Sequence, residues 1–330
     1  MIRVGIIGAA GYTAGELIRL LVNHPEVEIV FAHSESNAGN PVSDVHSGLI
    51  GDTDLRFCSD YNMDDIDVLF MCGAHGKSKE FWIHESKIQG TGSKEQGVGL
   101  LKVIDLAQDF RDESEGYVYG LPEWQKEKIC GAQKVANPGC FATAIQLALL
   151  PLAGAGLLNN EVQITAITGS TGAGVKPAAT THFSWRSNNI STYKVFQHQH
   201  LIEIGRNLSL LQGRDVPALN FVPVRGDFTR GIFASVYTRC DLSEDEMVAL
   251  YKDYYKDAAF TFFSDKPVDL KQVVNTNKCV LHIEKHDDKI VVSSVIDNLL
   301  KGASGQAVQN MNLMCGLDER LGLRLKASAF

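Results

Sequence analysis

The sequence lacks the features that define several classes of protein. Its seven cysteines are scattered and include no Cys-x-x-Cys pair, which argues against a disulfide framework and a zinc site of the usual spacing. No run of Lys and Arg is present and the formal net charge is −8, so we expect no nucleic-acid partner. The longest apolar stretch, residues 144–158, is broken by proline and glycine and is too short to span a bilayer. The amino terminus has no signal-peptide pattern, and we expect a cytoplasmic protein without membrane contact or bound metal.

The sequence does contain the material of two domains. With 330 residues, of which 45% are hydrophobic and 21% charged, the chain can bury a sizeable core. The first third alternates short apolar strands with helices, which predicts a parallel, doubly wound α/β sheet. We expect its strands at residues 3–7, 27–32, 68–72 and 100–106 and an amphipathic helix at residues 14–23.

The second half indicates an α+β arrangement. Strand-like stretches predict a largely antiparallel sheet, and the last two strands are expected to turn at Asp287 and Asp288. These stretches are residues 162–168, 221–224, 231–239, 279–284 and 289–296. Residues 243–255 predict a helix that begins with a capping box of Ser243 and Glu246, and residues 304–315 predict another. The polar, glycine-rich segment Thr91–Gly97 is expected to be an exposed loop.

The most informative short motif is Asn137-Pro138-Gly139-Cys140, which precedes an apolar, helix-like run. Asn is a good N-cap and Pro suits the first helical position, so Cys140 is expected near the third position of the helix. Free N–H groups and the helix dipole favour an anion there, and the thiolate is the nucleophilic form of cysteine. On this segment alone, a catalytic nucleophile and a small apolar residue of a core helix are equally good interpretations.

A glycine-rich turn follows the first strand and opens the first helix, which is the context that a dinucleotide fingerprint requires. Gly8 permits the tight turn, and Gly11 lets the backbone approach a pyrophosphate held at the helix N-terminus. The spacing departs from G-x-G-x-x-G, because Ala9 and Ala10 stand between the first two glycines. The turn therefore predicts a nucleotide site with moderate specificity.

The residues after the second strand should contact the ribose of the nucleotide. Ser34, Ser36 and Asn37 could form hydrogen bonds to a 2′-phosphate, whereas Glu35 would suit a ribose hydroxyl and disfavour NADP. On this chemistry alone, NAD and NADP both stay open.

The densest cluster of histidines is His198-Gln199-His200. A thiolate that attacks a carbonyl needs a proton shuttle, so one interpretation is a catalytic acid/base. Metal binding by the two rings together with Glu203 is a second interpretation, and two surface histidines are a third.

Three further stretches could bind an anion. Gly169–Gly174 is rich in glycine and hydroxyl groups, has Lys176 behind it, and could form a nest of N–H groups around a phosphate. Arg111 follows a strand end, where ligands gather in open α/β sheets, and Arg230 immediately precedes a strand.

Eight stretches of sequence, in order and spanning nearly the whole chain, form a recognisable set. They are GAAGYTAG from Gly8, VIDLAQDFR from Val103, YGLPE from Tyr119, NPGCFAT from Asn137, GSTGAG from Gly169, HQHLIEI from His198, TRGI from Thr229 and DNLLKGASGQAVQNMNL from Asp297. Together they resemble the N-acetyl-gamma-glutamyl-phosphate reductase family. The combination of NPGC with the last stretch is highly specific.

The resemblance implies a fold and a reaction. Residues 1–139 with 304–330 would form a Rossmann-type NADP-binding domain, and residues 140–303 a catalytic and oligomerisation domain like that of glyceraldehyde-3-phosphate dehydrogenase. The implied reaction is the NADPH-dependent reduction of N-acetyl-L-glutamyl 5-phosphate to the semialdehyde and phosphate through a cysteine thioester, in arginine biosynthesis. The implied partners are this small acyl phosphate and further copies of the chain, as a homo-oligomer (dimer or tetramer).

The resemblance also implies roles for individual residues. Cys140 would be the nucleophile, and His198, with His200 as the alternate, the acid/base. The expected NADP(H) contacts are Gly8, Ala10, Gly11, Tyr12, Thr13, Ser34, Ser36, His75, Gly172, Gly174 and Asn298. The expected substrate contacts are Arg111, Asn137, Thr171, Lys176 and Arg230.

The chain departs from the family's pattern at three positions and leaves alternatives open. Val175 stands where Arg is usual, Ile202 where Pro is common, and Glu35 where many relatives carry Arg. An N-succinyl group on the substrate nitrogen would use the same chemistry as N-acetyl. Aspartate-semialdehyde dehydrogenase shares the fold and chemistry, but its cysteine usually lies in an Asn-Cys-x-Thr setting. A non-catalytic NADP sensor, or a redox switch on Cys140, is the alternative of a different class.

Overall fold

The computed structural model describes residues 1–74, 76–88 and 101–328 and divides the chain into two compact units. The first comprises Met1–Pro138 and Ala303–Arg324, and the second comprises Gly139–Gly302 and the chain from Leu325 onward. The segment Thr91–Gly97, expected to be a loop, lies outside the described residues. No helix in the part of the chain that is described is long and apolar enough to cross a membrane.

Fourteen strands and eight α-helices are defined in the described residues. The strands are β1 Ile2–Ile7, β2 Val27–His33, β3 Phe57–Cys58, β4 Val68–Met71, β5 Lys102–Asp105, β6 Val118–Tyr119, β7 Lys134–Ala136, β8 Val162–Thr168, β9 Ser191–Thr192, β10 Leu219–Arg225, β11 Ile232–Arg239, β12 Thr261–Phe263, β13 Cys279–His286 and β14 Lys289–Ile296. The helices are α1 Tyr12–Leu21, α2 Lys77–Ile88, α3 Pro122–Cys130, α4 Cys140–Gly154, α5 Phe183–Arg186, α6 His200–Gln212, α7 Glu244–Tyr254 and α8 Gly305–Met314.

The first unit is built on a seven-stranded sheet in which every neighbouring pair runs parallel. Its strands stand in the order β3-β2-β1-β4-β5-β7-β6, which confirms the expected doubly wound α/β sheet. The order reverses between β1 and β4, and in such sheets ligands bind at the carboxyl ends of the strands that flank the reversal. Gly8 lies at this point, with a φ of 77° that favours glycine.

Helix α8 is buried along its whole length, polar residues included. The Asn310 amide donates to the Gly120 carbonyl at 2.9 Å, and the Gln309 amide donates to the Glu319 carboxylate at 2.8 Å. These two buried donors therefore have acceptors inside the first unit, as buried polar groups require. Helix α8 confirms the helix expected at residues 304–315, with each end within one residue of the prediction.

The second unit is built on a mixed sheet of seven strands in the order β12-β13-β14-β11-β8-β10-β9. Four neighbouring pairs are antiparallel, as expected, and the pairs β8–β10 and β12–β13 are parallel. The hairpin of β13 and β14 is confirmed, with its turn at Asp287 and Asp288. The parallel pairs are not predicted by the sequence, because strand-like composition does not encode the direction of the spatial neighbour.

Helix α4 is the central helix of the second unit, and residues 141–153 are all buried. Pro151 lies inside it and has no N–H to donate to the Leu147 carbonyl one turn earlier. The Tyr255 hydroxyl donates to that carbonyl instead, at 2.5 Å. Tyr251 of α7 donates in the same way to the Ala148 carbonyl, at 2.6 Å. The proline is therefore accommodated by an aromatic residue that follows a different helix.

Two helices of the second unit contrast in how well the sequence predicts them. Helix α7 has the expected capping box: the Ser243 hydroxyl accepts the Glu246 N–H at 3.4 Å, and the Glu246 carboxylate accepts the Ser243 N–H at 2.8 Å. Helix α6 is absent from the sequence predictions, although it is rich in good helix formers such as Leu and Gly205 is its one strongly unfavourable residue. Burial of Ile204 and Leu208 stabilises it in the folded unit.

We expect Tyr255→Phe to lower the free energy of unfolding by about 1–3 kcal/mol, because it leaves the buried Leu147 carbonyl without a donor. Tyr251→Phe should cost less, about 0.5–1.5 kcal/mol, since the Ala148 carbonyl keeps the N–H of Leu152 one turn on. Urea unfolding of both variants and of Tyr237→Phe, an exposed control in the same unit, measures the difference. Equal effects of the first two substitutions would contradict the role given to Pro151.

Candidate active site

Cys140 is the first residue of helix α4, and Gly139 is its N-cap. The predicted helix start, with Asn137 as the N-cap and Cys140 near the third position, is wrong. The Asn137 side chain is held elsewhere: its Nδ2 donates to the Ala303 carbonyl at 3.0 Å, and its Oδ1 accepts from Asn310 at 3.1 Å. The thiol still stands on the first turn, where backbone N–H groups have no partner within the helix.

The backbone around Cys140 is held from two sides within the second unit. The Gly139 N–H donates to the Glu203 carboxylate of α6 at 3.2 Å. Gly302 packs so closely that a Cβ added to it would lie 2.9 Å from the Cys140 Cβ. Since real Cβ atoms do not approach to that distance, a side chain at position 302 would displace the cysteine.

His198 lies two residues before the start of helix α6 and is buried in a box of aromatic rings. The centroid of its ring lies 5.4 Å from that of Phe141, 5.5 Å from Phe221 and 5.8 Å from Tyr193, all edge to face. Phe141 directly follows Cys140 in the chain, so the box places the imidazole next to the first turn of α4. The interpretation of a surface histidine pair is wrong, because both His198 and His200 are buried.

The surroundings of His198 determine its protonation. Burial, assisted by the positive charges of Lys194 and Arg225, lowers the pKa of His198 to about 4. Its Nδ1 accepts the His200 N–H at 3.2 Å, so the hydrogen of the neutral ring belongs on Nε2. The result is a neutral imidazole that presents an N–H donor.

His200 has a different environment from His198, although the two ring centroids lie only 4.6 Å apart. The His200 Nε2 lies 4.0 Å from the Glu203 carboxylate, and both side chains are buried. The described residues contain no cluster of three or more His, Cys, Asp or Glu side chains that could hold a metal ion.

Tyr193 connects the cysteine with a cation. Burial raises the pKa of Tyr193 to about 12, and the negative charge of the Cys140 thiolate contributes to the increase. The guanidinium of Arg225 opposes it, through its charge and a side-chain hydrogen bond. The Arg225 Cζ lies 4.7 Å from the centre of the Tyr193 ring. Tyr193 and Arg225 therefore belong to the Cys140 cluster.

Neither Tyr193 nor Arg225 is among the site residues predicted from the sequence. Tyr193 lies in a stretch without a recognisable motif, so no signal points to it. Arg225 had one available signal, since it stands at the carboxyl end of a predicted strand, where ligands gather. In the structure it pairs with Thr168 at the carboxyl ends of the parallel strands β10 and β8.

The Gly169–Gly174 loop forms a single short helical turn after β8. The N–H groups of Ser170 and Thr171 donate to the carbonyls of Phe228 and Thr229, at 2.8 and 3.1 Å. These two amides are thus already used, which leaves fewer donors for the expected phosphate nest. Asn298 donates to the Thr171 hydroxyl at 3.0 Å, whereas Gly172, Gly174 and Lys176 are exposed.

Arg230 forms a bidentate ion pair with Asp297. Its Nε and one terminal nitrogen lie 3.1 and 3.2 Å from the two carboxylate oxygens. Asp297 is fully buried and also accepts the N–H groups of Asn275 and Leu299, each at 2.8 Å. Removing one partner of such a buried pair leaves an uncompensated charge, so Arg230 holds this region together.

Arg111 is buried in the first unit and donates to the carbonyls of Asn137 and Leu106, at 2.9 and 3.1 Å. It thereby fixes the carboxyl end of β5 and the segment that leads out of β7. Asp105, at the end of β5, accepts from the Ser78 hydroxyl at 2.9 Å. Burial raises the pKa of Asp105 to about 6.

The nucleotide turn of the first unit is open to a ligand. Gly11 is the N-cap of α1 without a side-chain cap, which leaves the first N–H groups of the helix, at Tyr12 and Thr13, available. A Cβ added to Gly8 would lie 2.9 Å from the Cys72 carbonyl carbon, so only glycine fits there.

After β2, the side chains of the expected ribose-binding stretch form a small network. The Asn37 amide donates to the hydroxyls of Ser34 and Ser36, at 3.1 and 3.0 Å, and Glu35 is exposed beside them. His75, also expected near the cofactor, lies outside the described residues.

Comparison with known proteins identifies the class. Residues 3–132 match the NAD binding domain of semialdehyde dehydrogenases, and residues 140–298 match their dimerisation domain. The aspartate semialdehyde dehydrogenase II of Vibrio cholerae has a similar fold, with a TM-score of 0.72 at 16% identity over 96% of this chain and 98% of that chain. The enzyme from Candida albicans gives a TM-score of 0.69 at 14% identity, covering 96% and 98%. The fold is that of a semialdehyde dehydrogenase.

Relatives with much higher identity define the family. A protein of Azobacteroides pseudotrichonymphae is 60% identical and one of Bacteroides thetaiotaomicron 57% identical, each over 100% of both chains. A third, from Flavobacterium johnsoniae, is 52% identical over 100% of both chains. All three are named N-acetyl-gamma-glutamyl-phosphate reductase. This chain belongs to the N-acetyl-gamma-glutamyl-phosphate reductase family, as the resemblance implies.

We expect His198 to make the free energy of unfolding fall as the pH is lowered from about 6.5 to about 4. In this range the unfolded chain binds a proton on the imidazole and the folded chain does not, so acid favours unfolding. Urea unfolding at a series of pH values should therefore show a shallower pH dependence in His198→Asn than in the wild type. His286→Asn, at a histidine whose side chain is 66% exposed, is the control. A wild-type slope in His198→Asn would refute the neutral buried ring.

Proposed function

We propose that this protein is the enzyme that reduces N-acetyl-L-glutamyl 5-phosphate to N-acetyl-L-glutamate 5-semialdehyde and phosphate, in arginine biosynthesis. The observation that carries the proposal is Cys140 on the first turn of α4 beside two buried histidines. It occurs in a chain 52–60% identical to reductases of that name. The same chemistry on an N-succinyl substrate is the second candidate, because it would change only the group on the substrate nitrogen.

Cys140 is the nucleophile of the proposed reaction. Its thiolate attacks the carbonyl carbon of the acyl phosphate; the carbon–sulfur bond forms, and phosphate leaves with the electron pair of the bond that breaks. A nicotinamide cofactor, when bound, would supply a hydride to the carbonyl carbon of the thioester, which gives the oxyanion of a thiohemiacetal. Cleavage of the carbon–sulfur bond then releases the aldehyde and regenerates the thiolate. The covalent intermediate divides one difficult step into two easier ones.

The two histidines receive different tasks in this proposal. His198 is neutral and carries its hydrogen on Nε2, which suits it to donate a hydrogen bond to the carbonyl oxygen as negative charge develops there. His200, with the Glu203 carboxylate 4.0 Å away, is suited to hold the proton that leaves the thiol. The family resemblance gives the acid/base role to His198; the hydrogen bond accepted by its Nδ1 favours this division instead.

The residues of the first unit fit a nicotinamide dinucleotide, and we propose that the cofactor is NADP(H). The crowded position of Gly8 and the uncapped start of α1 at Gly11 form a cradle that a pyrophosphate would fill. The hydroxyls of Ser34 and Ser36 support a 2′-phosphate in preference to a bare ribose. We further propose a homo-oligomer, because residues 140–298 match a dimerisation domain.

Cys140→Ser should lower the phosphate-dependent reduction of NADP⁺ by N-acetyl-glutamate semialdehyde by about 10³-fold or more, since a hydroxyl is a far weaker nucleophile than a thiolate. Cofactor binding, followed by fluorescence titration, should be unchanged. Cys130→Ser replaces an exposed cysteine and is the matched control. Near-normal turnover of Cys140→Ser would overturn the assignment, and no phosphate-dependent turnover by the wild type with any acylated semialdehyde would overturn the proposed function.

Substitution of the two histidines should affect the reaction differently. His198→Asn should lower kcat about 10²–10³-fold, as expected for the loss of one hydrogen-bond donor to an oxyanion. The shape of the pH profile of kcat/KM should stay the same. His200→Asn should lower kcat/KM about 10²–10⁴-fold and remove the acid limb of that profile. Rates measured across the pH range with the semialdehyde as substrate make the comparison. Loss of the acid limb in His198→Asn alone would return the acid/base role to that residue.

A further inference from the structure

Arg225 is a cation of the Cys140 cluster with an unused donor. It ends strand β10, and its Nε is buried without a hydrogen-bond partner among the described residues. Its guanidinium lies against the ring of Tyr193, with Cζ 4.7 Å from the ring centre. A buried donor without an acceptor costs about 1–3 kcal/mol, so such a group is retained where a ligand can supply the acceptor.

No carboxylate of the described residues neutralises Arg225. Arg225 is not a member of any ion pair among the described residues. The carboxylate of Asp227, two residues further along the chain, accepts the Asn188 N–H at 2.6 Å. Burial is the main cause of the lowered pKa of His198 and of Arg186, and the positive charge of Arg225 adds to both shifts. Arg225 therefore carries a positive charge that is not part of an ion pair with any described carboxylate, in a chain whose net charge is −8.

The other arginines of the second unit near this cluster are already occupied. Arg230 is bound in bidentate fashion to Asp297. Arg186 donates hydrogen bonds to the carbonyls of Arg225, Thr180 and Asn189, so its guanidinium supports the backbone at these three residues. Of these three guanidiniums, Arg225 is the one with a buried nitrogen atom that has no partner.

The position of Arg225 places an anion within reach of the reaction. Tyr193 contacts Arg225 on one side and His198 on another, with a centroid distance of 5.8 Å to the imidazole. The charge of Cys140 acts on the same tyrosine. A group bound at the Arg225 Nε would therefore lie in the same cluster as the reactive cysteine.

We propose that Arg225 is a specificity-determining residue that binds an anionic oxygen of the substrate, a carboxylate or a phosphoryl oxygen, through its Nε–H. This inference rests on the proposed function, which supplies an acyl phosphate as substrate. Three groups offer this chemistry: the phosphoryl group, the carboxylate of the glutamyl part and, on an N-succinyl substrate, the terminal carboxylate of the acyl group. Guanidinium donors suit all of them, since they match the planar geometry of oxyanions.

The test is steady-state kinetics of Arg225→Ala in the oxidative direction, with phosphate, N-acetyl-glutamate semialdehyde and N-succinyl-glutamate semialdehyde each varied in turn. Loss of a charge-assisted hydrogen bond predicts a KM increase of about 10–100-fold for the substrate that carries the anion, with a much smaller change in kcat. An increase for phosphate alone assigns the phosphoryl group. Equal increases for both aldehydes assign the glutamyl carboxylate, and an increase for the succinyl aldehyde alone assigns the acyl carboxylate.

Arg239→Ala removes the same charge at a site in the second unit whose side chain is 67% exposed and serves as the matched control. Arg225→Lys keeps the charge but lacks the Nε–H fork, and it should recover only part of the lost affinity. If Arg225→Ala does not fold, as judged by its thermal unfolding, Arg225→Lys replaces it, and a KM increase of about 5-fold or more is then expected.

Two results would overturn the inference: KM values that match those of Arg239→Ala for all three substrates, or equal increases for the three and for NADP⁺, which a general structural role would give. Calorimetric titration of phosphate, N-acetylglutamate and N-succinylglutamate into wild type and Arg225→Ala gives a readout without turnover. Wild-type protein that turns over neither aldehyde contradicts the proposed function. Active wild-type protein with unchanged KM values in the variant contradicts only the role of Arg225.

Discussion

The burial of helix α4 constrains everything else in the second unit. Residues 141–153 are all buried, so each polar group on the helix needs a partner inside the protein. The Asn207 amide donates to Gln146 at 3.0 Å, which ties α6 to α4, and the Tyr255 hydroxyl serves the carbonyl that Pro151 leaves without a donor. Because the helix is fixed in this way, Cys140 at its amino end has a fixed position, and the residues around it can act on a stationary sulfur atom.

Two positive charges lie around His198 in a protein whose net charge is negative. The chain carries a net charge of −8, and burial, assisted by the charges of Lys194 and Arg225, lowers the pKa of His198. In the proposed reaction the same two charges would attract an anionic substrate. An anion bound beside them would then weaken their effect on the pKa of the histidine.

The fold was largely predictable from the sequence, because its alternating pattern in the first third and the capping box at Ser243 are local signals. The start of α4 was not predictable, because the side-chain oxygen of Asn137, expected to cap the helix, accepts a hydrogen bond from Asn310 instead. Asn310 is remote in the sequence. Helix α6 was not predicted, although its composition favours a helix. The approach to His198 depends on Lys194 and Phe196, which adopt the left-handed conformation at φ values of 47° and 59° against their own preference.

One part of the candidate site was predictable from the sequence and another part was not. Cys140 and the two histidines stand in short motifs that can be recognised one at a time. Tyr193 and Arg225 carry no motif, and they join the cluster only because β8 and β10 run parallel and bring their carboxyl ends side by side. Arg111, Asn137 and Arg230 stand where a ligand contact is reasonable, but the structure gives each of them protein partners that no sequence pattern encodes.

The close approach of Gly302 to Cys140 has a consequence for the substitutions that the site can tolerate. Even a methyl group at position 302 would lie 2.9 Å from the Cys140 Cβ, a distance that real Cβ atoms do not show. A substitution there would act on the nucleophile without removing any catalytic group, because a displaced sulfur atom no longer meets a substrate carbonyl in the right geometry. A residue without a side chain thereby belongs to the requirements of the reaction.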